Sequence, residues 1–249
     1  MPTYSDYDAF AWVYNKYWGD EFTPRVFPIL EQLVLRELPA GASILDLCCG
    51  TGQLAGTLTA LGYRVTGVDG SAEMLRFARE NAPDAEFVHA DARSFTLPDS
   101  YDAVVSVFDS LNHVMTLEEL TAVFRNVHAV LRDGGSFFFD LNMAAGYGFT
   151  WNDNFGIVEE DHLCIVRTSY NPDEKIARFD TTIMLLEDGW ERKDVTLLQM
   201  CYSPAEVLSA LAEAGFTDVE TCAHDEREGM TGLTESADRG FFLCRKPTL

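Results

Sequence analysis

The chain has 249 residues, of which 47% are hydrophobic, and a formal net charge of -22. That length suits one α/β domain, the apolar content is too high for a disordered chain, and the charge repels a phosphate backbone, so nucleic acid is not expected as a partner. No apolar run approaches the roughly 20 residues that span a bilayer.

Residues 1–10 are polar and acidic without a basic n-region, so no signal peptide is expected. The six cysteines, Cys48, Cys49, Cys164, Cys201, Cys222 and Cys244, form no C-x-x-C pair and have no histidine at zinc spacing. The expectation is a cytoplasmic protein in a reducing compartment, with no membrane partner and no metal. The acidity confers solubility and leaves room for a cationic cofactor or amine substrate.

Along the chain, Phe10, Val13, Tyr14 and Tyr17 recur at helical spacing over Tyr7–Trp18. A second helix is expected with Thr23 as its cap and Pro24 at its first position, although Pro28 complicates that start. An alternation then begins. Strands are predicted at Ala42–Leu47, Tyr63–Val68, Ala85–His89, Tyr101–Phe108 and Gly135–Leu141. Between them lie a helix with Leu54, Leu58 and Leu61 on one face, a helix capped by Ser71, and a third opened by the capping box Thr116/Glu119 and closed by Gly134 and Gly135.

After Asn142 the pattern changes. Leu163–Ser169, Ala177–Leu186 and Asp194–Tyr202 read as three antiparallel strands. Ser203 and Glu206 form a second capping box with Pro204 at the first helical position, and strands near Asp218–Ala223 and Gly240–Arg245 finish the chain. The predicted fold is α/β: a Rossmann-like, doubly wound, seven-stranded, mostly parallel sheet with an antiparallel β insertion and N-terminal helices. As one domain it divides into an N-terminal helical lid over 1–40, a core over 42–142 and 203–249, and an insertion over 146–202 that reads as a substrate cap.

The sharpest local feature joins a strand to a helix through a glycine turn, Asp46-Leu47-Cys48-Cys49-Gly50-Thr51-Gly52. Gly50 and Gly52 are expected to let the backbone approach a ligand where a Cβ would clash. Alone, this also matches a dinucleotide-binding pattern. Asp69 ends the second strand about 20 residues on, where a carboxylate accepts ribose hydroxyls, and Asp91 ends the third, where an acid can take an adenine amino group. All three turns fall at the carboxyl edge of the sheet, where open α/β folds bind ligands.

Asp46-Leu47-Cys48-Cys49-Gly50-Thr51-Gly52 resembles the first motif of class I S-adenosylmethionine-dependent methyltransferases, D-L-G-C-G-T-G, with Cys48 in place of a glycine. Val68-Asp69-Gly70-Ser71-Ala72-Glu73-Met74-Leu75 is similar to the family's second block, Asp91-Ala92 to its third, and Tyr101-Asp102-Ala103-Val104-Val105 to its fourth strand. The resemblance implies S-adenosylmethionine as cofactor and S-adenosylhomocysteine as product. It implies that Asp69 holds the ribose and that Met74 packs near the adenine, with Tyr14, Asp46, Cys48, Cys49, Gly50, Gly52, Gly70, Asp91, Ala92 and Phe108 around the cofactor. A subgroup of small bacterial methyltransferases shares Phe108-Asp109-Ser110-Leu111-Asn112-His113, Phe139-Asp140-Leu141-Asn142 and the antiparallel insertion.

Methyl transfer is an in-line displacement that needs alignment, plus a base if the nucleophile must lose a proton. His113 is the candidate base, Asp109 a candidate to orient a cationic amine or the cofactor's ammonium, and Tyr14 a third catalytic candidate. Asp140 and Asn142 share the same edge and are candidates to line the acceptor pocket. The stripe Tyr14, Tyr17 and Trp18 reads either as core or as a lid over the cofactor. The function implied is methylation of a small-molecule acceptor, with N, O, S or C and the oligomeric state left open. A nicotinamide-dependent oxidoreductase accounts for the glycines and Asp69 but not for Asp46 or Asp91. A nucleic-acid base methyltransferase would want an Asn/Asp-Pro-Pro-Tyr motif where Asp109-Ser110-Leu111-Asn112 stands, and a non-enzymatic cofactor-binding module is the third alternative.

Overall fold

A computed structural model describes residues 6–98, 101–225 and 229–248. Residues 1–5, the start of the polar amino-terminal stretch, lie outside the described residues. Five strands run parallel: β1 (Ser43–Leu47), β2 (Arg64–Asp69), β3 (Glu86–His89), β4 (Tyr101–Ser106) and β5 (Leu131–Asn142). Strands β10 (Thr217–Asp225), β11 (Gly229–Gly232) and β12 (Arg239–Arg245) extend the sheet antiparallel beyond β5, in the order β11-β10-β12-β5-β4-β1-β2-β3. Among the described residues the sheet therefore has eight strands where seven are expected. The additional one, Gly-Met-Thr-Gly, is a four-residue edge strand bracketed by glycines, too short and glycine-rich to show a strand signal of its own.

Side chains alternate across the sheet as the period of two requires. Leu45, Leu47, Val104, Phe137 and Phe139 face a layer containing α5 (Leu117–Val130) and α7 (Pro204–Ala214). Ile44, Ala103, Val105 and Phe138 face the layer of α2 (Gly19–Leu33) and α3 (Gln53–Ala60). Helix α2 begins four residues before the expected Thr23 cap and contains both Pro24 and Pro28. Each proline removes an intrahelical hydrogen bond. Burial of Val26, Ile29 and Leu30 against the sheet layer overrides that local cost.

The caps differ in an informative way. Ser203 and Glu206 form the full reciprocal capping box of α7. At α5 only half forms: Thr116 accepts from the Glu119 N–H, while the Glu119 carboxylate is drawn to Arg93 Nη1 at 2.6 Å. The chain enters β5 at Leu131, before the glycines expected to end α5, because Gly134 and Gly135 sit inside that strand.

A second, four-stranded antiparallel sheet follows α6 (Ala144–Thr150): β6 (Asn154–Val158), β7 (His162–Asn171), β8 (Ile176–Leu186) and β9 (Trp190–Met200). The strand not anticipated, β6, is almost wholly exposed and so shows no buried alternation. The inner face of this sheet offers Cys164, Val166, Ile183, Val195 and Leu197 to Phe10 and Val13 of α1 (Asp6–Tyr17) and to Met74 and Phe77 of α4 (Ala72–Asn81). Helix α1 is thus packed between the antiparallel sheet and the α/β core.

Candidate active site

A cavity of about 360 Å³ opens at the carboxyl edge of β1, β2, β4 and β5, between α1 and the antiparallel sheet. Its floor is the glycine turn. Gly50 (φ 53°) lines it, and a Cβ there would meet only Tyr14 Cε1 at 3.7 Å. Cys48 also lines it and sits at φ 60°, in the left-handed region that favours glycine. The turn keeps its course despite the cysteine, at a strain of order 1–2 kcal/mol.

Not every expected residue reaches the cavity. Gly52 (φ 83°) is needed for packing and not for ligand approach, since a Cβ there would lie 2.9 Å from Ala78 Cα of α4. The Cys49 thiol is directed at Gly67 of β2. Asp46 lies beneath the floor, 2% exposed, and its Oδ2 has no hydrogen-bond partner. Burial, with Asp69 nearby, pushes Asp46 up to about 7.

Asp69 is held at the end of β2 by the Gly50 N–H on Oδ2 at 2.9 Å and the Ser71 N–H on Oδ1 at 2.8 Å. Burial raises its pKa, against the pull of those two donors. Gly70, Met74 and Ala92 complete that wall with Asp91. The Asp91 carboxylate is already forked by Arg93, with Nε 3.1 Å from Oδ1 and Nη2 2.8 Å from Oδ2. Burial would raise Asp91, but the hydrogen bonds and charge of Arg93 outweigh it and hold the group below the ordinary range.

From above, Tyr7, Phe10, Tyr14 and Trp18 of the amino-terminal segment line the cavity. Tyr17, on the same expected stripe, turns away and its hydroxyl bonds His162 Nε2 of β7. Asp8 fastens α1 to α4: its Oδ1 accepts from Ser71 Oγ at 2.6 Å and from the Glu73 N–H at 3.2 Å.

At the other end, the chain leaving β4 passes through two consecutive left-handed residues, Phe108 (φ 66°) and Asp109 (φ 48°). Asp140, expected in the cavity wall, is instead fully buried behind them. It accepts the Phe108 and Asp109 N–H groups at 2.7 and 3.1 Å, and it pairs with Arg239 Nη1. Arg239 Nη2 lies 2.7 Å from Asp109 Oδ1, and its guanidinium rests 4.9 Å from the Phe22 ring centroid. Both Asp109 oxygens are engaged, because Gln199 Nε2 donates to Oδ2 at 2.6 Å.

His113 ends the 3-10 turn Ser110–His113 that follows. Its Nδ1 is 2.8 Å from the Leu198 carbonyl, and its Nε2 is 2.7 Å from Tyr7 Oη and 3.1 Å from Gln199 Nε2. Burial lowers its pKa, against the opposing charge of Asp109 and the Leu198 hydrogen bond. The imidazole is therefore neutral at pH 7, the state in which a base can act.

Tyr7, Gln199 and Arg239 escaped the sequence reading. Gln199 had a visible signal, since in β9 it takes the inward register after Val195 and Leu197. A polar residue at an inward position of a strand is an informative anomaly. Arg239 carried none, standing 130 residues from its partner Asp109.

A methyltransferase-domain family matches residues 44–135. The protein named "Putative methyltransferase YqeM" of Bacillus subtilis (strain 168) is 30% identical over 240 residues, covering 89% of this chain and 94% of that one. A dTDP-3-amino-3,6-dideoxy-alpha-D-glucopyranose N,N-dimethyltransferase of Streptomyces fradiae is 35% identical over 150 residues, 58% of this chain and 57% of its own. Among solved structures, an S-adenosylmethionine-dependent methyltransferase from Clostridium acetobutylicum ATCC 824 superposes with a TM-score of 0.78 at 19% identity, covering 97% of this chain and 99% of that one. The same fold is thus adopted across nearly the full length.

Proposed function

The chain belongs to the class I S-adenosylmethionine-dependent methyltransferases, and on that premise we propose that it methylates a neutral or cationic small molecule held against His113 and Tyr7. It is an enzyme and S-adenosylmethionine is its cofactor, which leaves no role for a nicotinamide or for a non-catalytic binding module. When bound, S-adenosylmethionine supplies a sulfonium methyl that an acceptor's lone pair takes in line, the C–S electron pair staying with sulfur.

The residues present suit that cofactor. The orphaned Asp46 Oδ2 under the glycine turn is an acceptor in want of a cation, as the amino-acid end of the cofactor provides. Asp69 keeps lone pairs for ribose hydroxyls after taking one backbone N–H on each oxygen. Gly50 leaves the floor open where a side chain would stand. Helix α1, read as a lid, and the antiparallel sheet, read as a substrate cap, close over these groups and exclude water.

The observation that carries the acceptor class is the charge of the cavity. Asp69, Asp91 and Asp109 line it against Arg93 and Arg239, and each of those cations is already paired with acids. A negatively charged acceptor group is therefore disfavoured and an amine is welcome. Trp151, Phe179 and Leu197 supply an apolar wall from the cap side. His113 Nε2 takes the proton the acceptor loses, Tyr7 lies beside it, and Tyr14 covers the glycine turn. The Streptomyces fradiae relative, named for a dTDP-linked amino-sugar, supports an amine nitrogen as the methylated group in the first acceptors to screen. The cysteines, all free, support a reducing, cytoplasmic setting, and the acidic surface argues against a nucleic-acid substrate.

The test is calorimetric titration with S-adenosylhomocysteine beside NAD, on wild type and Asp69→Ala, followed by an amine screen read by release of S-adenosylhomocysteine. Selective binding weakened at least tenfold by the substitution, and turnover lost in His113→Ala, is the expected result. Turnover stimulated only by tRNA or DNA would overturn the acceptor class.

A further inference from the structure

We propose that Gln199 is a positioning residue which, with the Leu198 carbonyl, holds His113 as the neutral imidazole with its proton on Nδ1 and its Nε2 lone pair at the cavity. The geometry leaves one consistent set of donors. A carbonyl only accepts, so the 2.8 Å contact between His113 Nδ1 and Leu198 O requires a proton on Nδ1. Neutral Nε2 is then an acceptor, facing the Tyr7 hydroxyl at 2.7 Å and Gln199 Nε2 at 3.1 Å.

The amide cannot turn over to suit an imidazolium. Its Nε2 donates to Asp109 Oδ2 at 2.6 Å, and its Oε1 accepts from Tyr147 Oη at 2.7 Å. A flip would set Oε1 against the Asp109 carboxylate, which Arg239 anchors at Oδ1. Gln199 is 3% exposed and Tyr147 fully buried, so the amide is fixed by its protein partners. A proton on His113 Nε2 would thus face an amide donor and would have to turn the Tyr7 hydroxyl from donor to acceptor, the arrangement that disfavours the charged form.

The titratable and charged groups around the imidazole are Tyr7 from α1, Asp109 from its own loop, Asp140 behind that loop, Tyr147 from α6, Arg239 from β12 and Tyr202 ahead of α7, whose hydroxyl bonds the Val114 carbonyl. Asp109 is the one that favours imidazolium, and Gln199 and Arg239 occupy both its oxygens. Among the described residues, the hydrogen-bond partners of His113, namely Tyr7, Leu198 and Gln199, lie outside the α/β core. The imidazole takes its working protonation state only when α1 and the antiparallel sheet are both seated.

The pH-rate arm of the test rests on His113 as the base proposed above, whereas the spectroscopic arm does not. Imidazole nitrogen NMR of ¹⁵N-histidine-labelled full chain, with His113→Asn to assign the signal, reads tautomer and titration directly. In wild type we expect the Nδ1–H tautomer, with a titration midpoint below that of a free imidazole. In Gln199→Glu we expect the titration midpoint of His113 to rise by at least one pH unit. In Gln199→Met we expect a smaller rise and mixed tautomers. The acid limb of kcat/KM should move with these midpoints. An Nε2–H tautomer in wild type, which needs no variant to fold, or the same midpoint in all three proteins, overturns the inference. The stated tautomer and midpoints with a flat pH-rate profile uphold it and remove the base role of His113 instead.

Discussion

Buried beneath the glycine turn, Asp46 has one carboxylate oxygen without a partner, and burial pushes its pKa up to about 7. The folded chain therefore holds this proton far more tightly than the unfolded chain does. Stability contributed by Asp46 is full below the ordinary carboxylate range and is lost as pH rises through about 7. The fall in apoprotein Tm between pH 5.5 and pH 8 should be smaller by several degrees in Asp46→Asn, by differential scanning fluorimetry. Calorimetry should show wild-type affinity for S-adenosylhomocysteine weakening as pH drops below 7, with Asp46→Asn weak throughout; affinity independent of pH would mean that no cation sits on Oδ2. Cys48 makes a second residue-scale prediction. Replacing it by glycine removes the left-handed strain at φ 60°, less the entropy a glycine adds to the unfolded chain. Cys48→Gly should gain roughly 1 kcal/mol and raise Tm by about 2–4 °C; a lower Tm would show that the thiol's packing outweighs the strain.

Two element junctions hold the site in shape. Helix α3 meets α4 where Gly52 touches Ala78, and a methyl there collides with backbone at 2.9 Å while the backbone needs φ 83°. Gly52→Ala should cost more than about 2 kcal/mol in urea unfolding, from overpacking and strain together. Helix α1 meets α4 through Asp8, whose carboxylate serves Ser71 and Glu73 at the start of α4. Asp8→Ala should lose about 1 kcal/mol, raise the KM for S-adenosylmethionine several-fold with little change in kcat, and speed proteolysis within α1. An unchanged KM would show that α1 does not govern cofactor retention. The elements themselves were largely legible, because period and caps are local: Ser71 caps α4 and Ser203/Glu206 boxes α7 as their sequence pattern predicts. The errors arose where tertiary contacts override local preference. The prolines inside α2 are outweighed by burial, and Glu119 leaves its box for Arg93.

At the scale of the whole molecule, the cavity is a junction of three bodies: the parallel sheet edge, α1 and the antiparallel sheet. A ligand filling it bridges all three, so binding should tighten the molecule globally. S-adenosylhomocysteine at 100 times its Kd should add about 2.7 kcal/mol, a Tm rise of roughly 5–10 °C. Hydrogen exchange should slow in α1 and β9 together. Protection of the α/β core alone would mean that lid and cap do not engage the cofactor.

The sequence by itself determined the alternation of strands and helices, the glycine turn, and the acids Asp46, Asp69 and Asp91 at the sheet's carboxyl edge. These are short-range patterns, written within one strand and the turn that follows it, and the family resemblance they carry is what implied the cofactor. Only the tertiary structure decided which of those residues face the cavity and what surrounds His113. Gly52 and Gly50 are two residues apart and both left-handed, yet only Gly50 faces the cavity, because α4 is packed on Gly52. Tyr7, Gln199 and Arg239 come to His113 and Asp109 from 106, 86 and 130 residues away. Their partnership follows from how α1, β9 and β12 close on one sheet edge, and hydrogen bonds between such distant side chains leave no period or spacing in the chain.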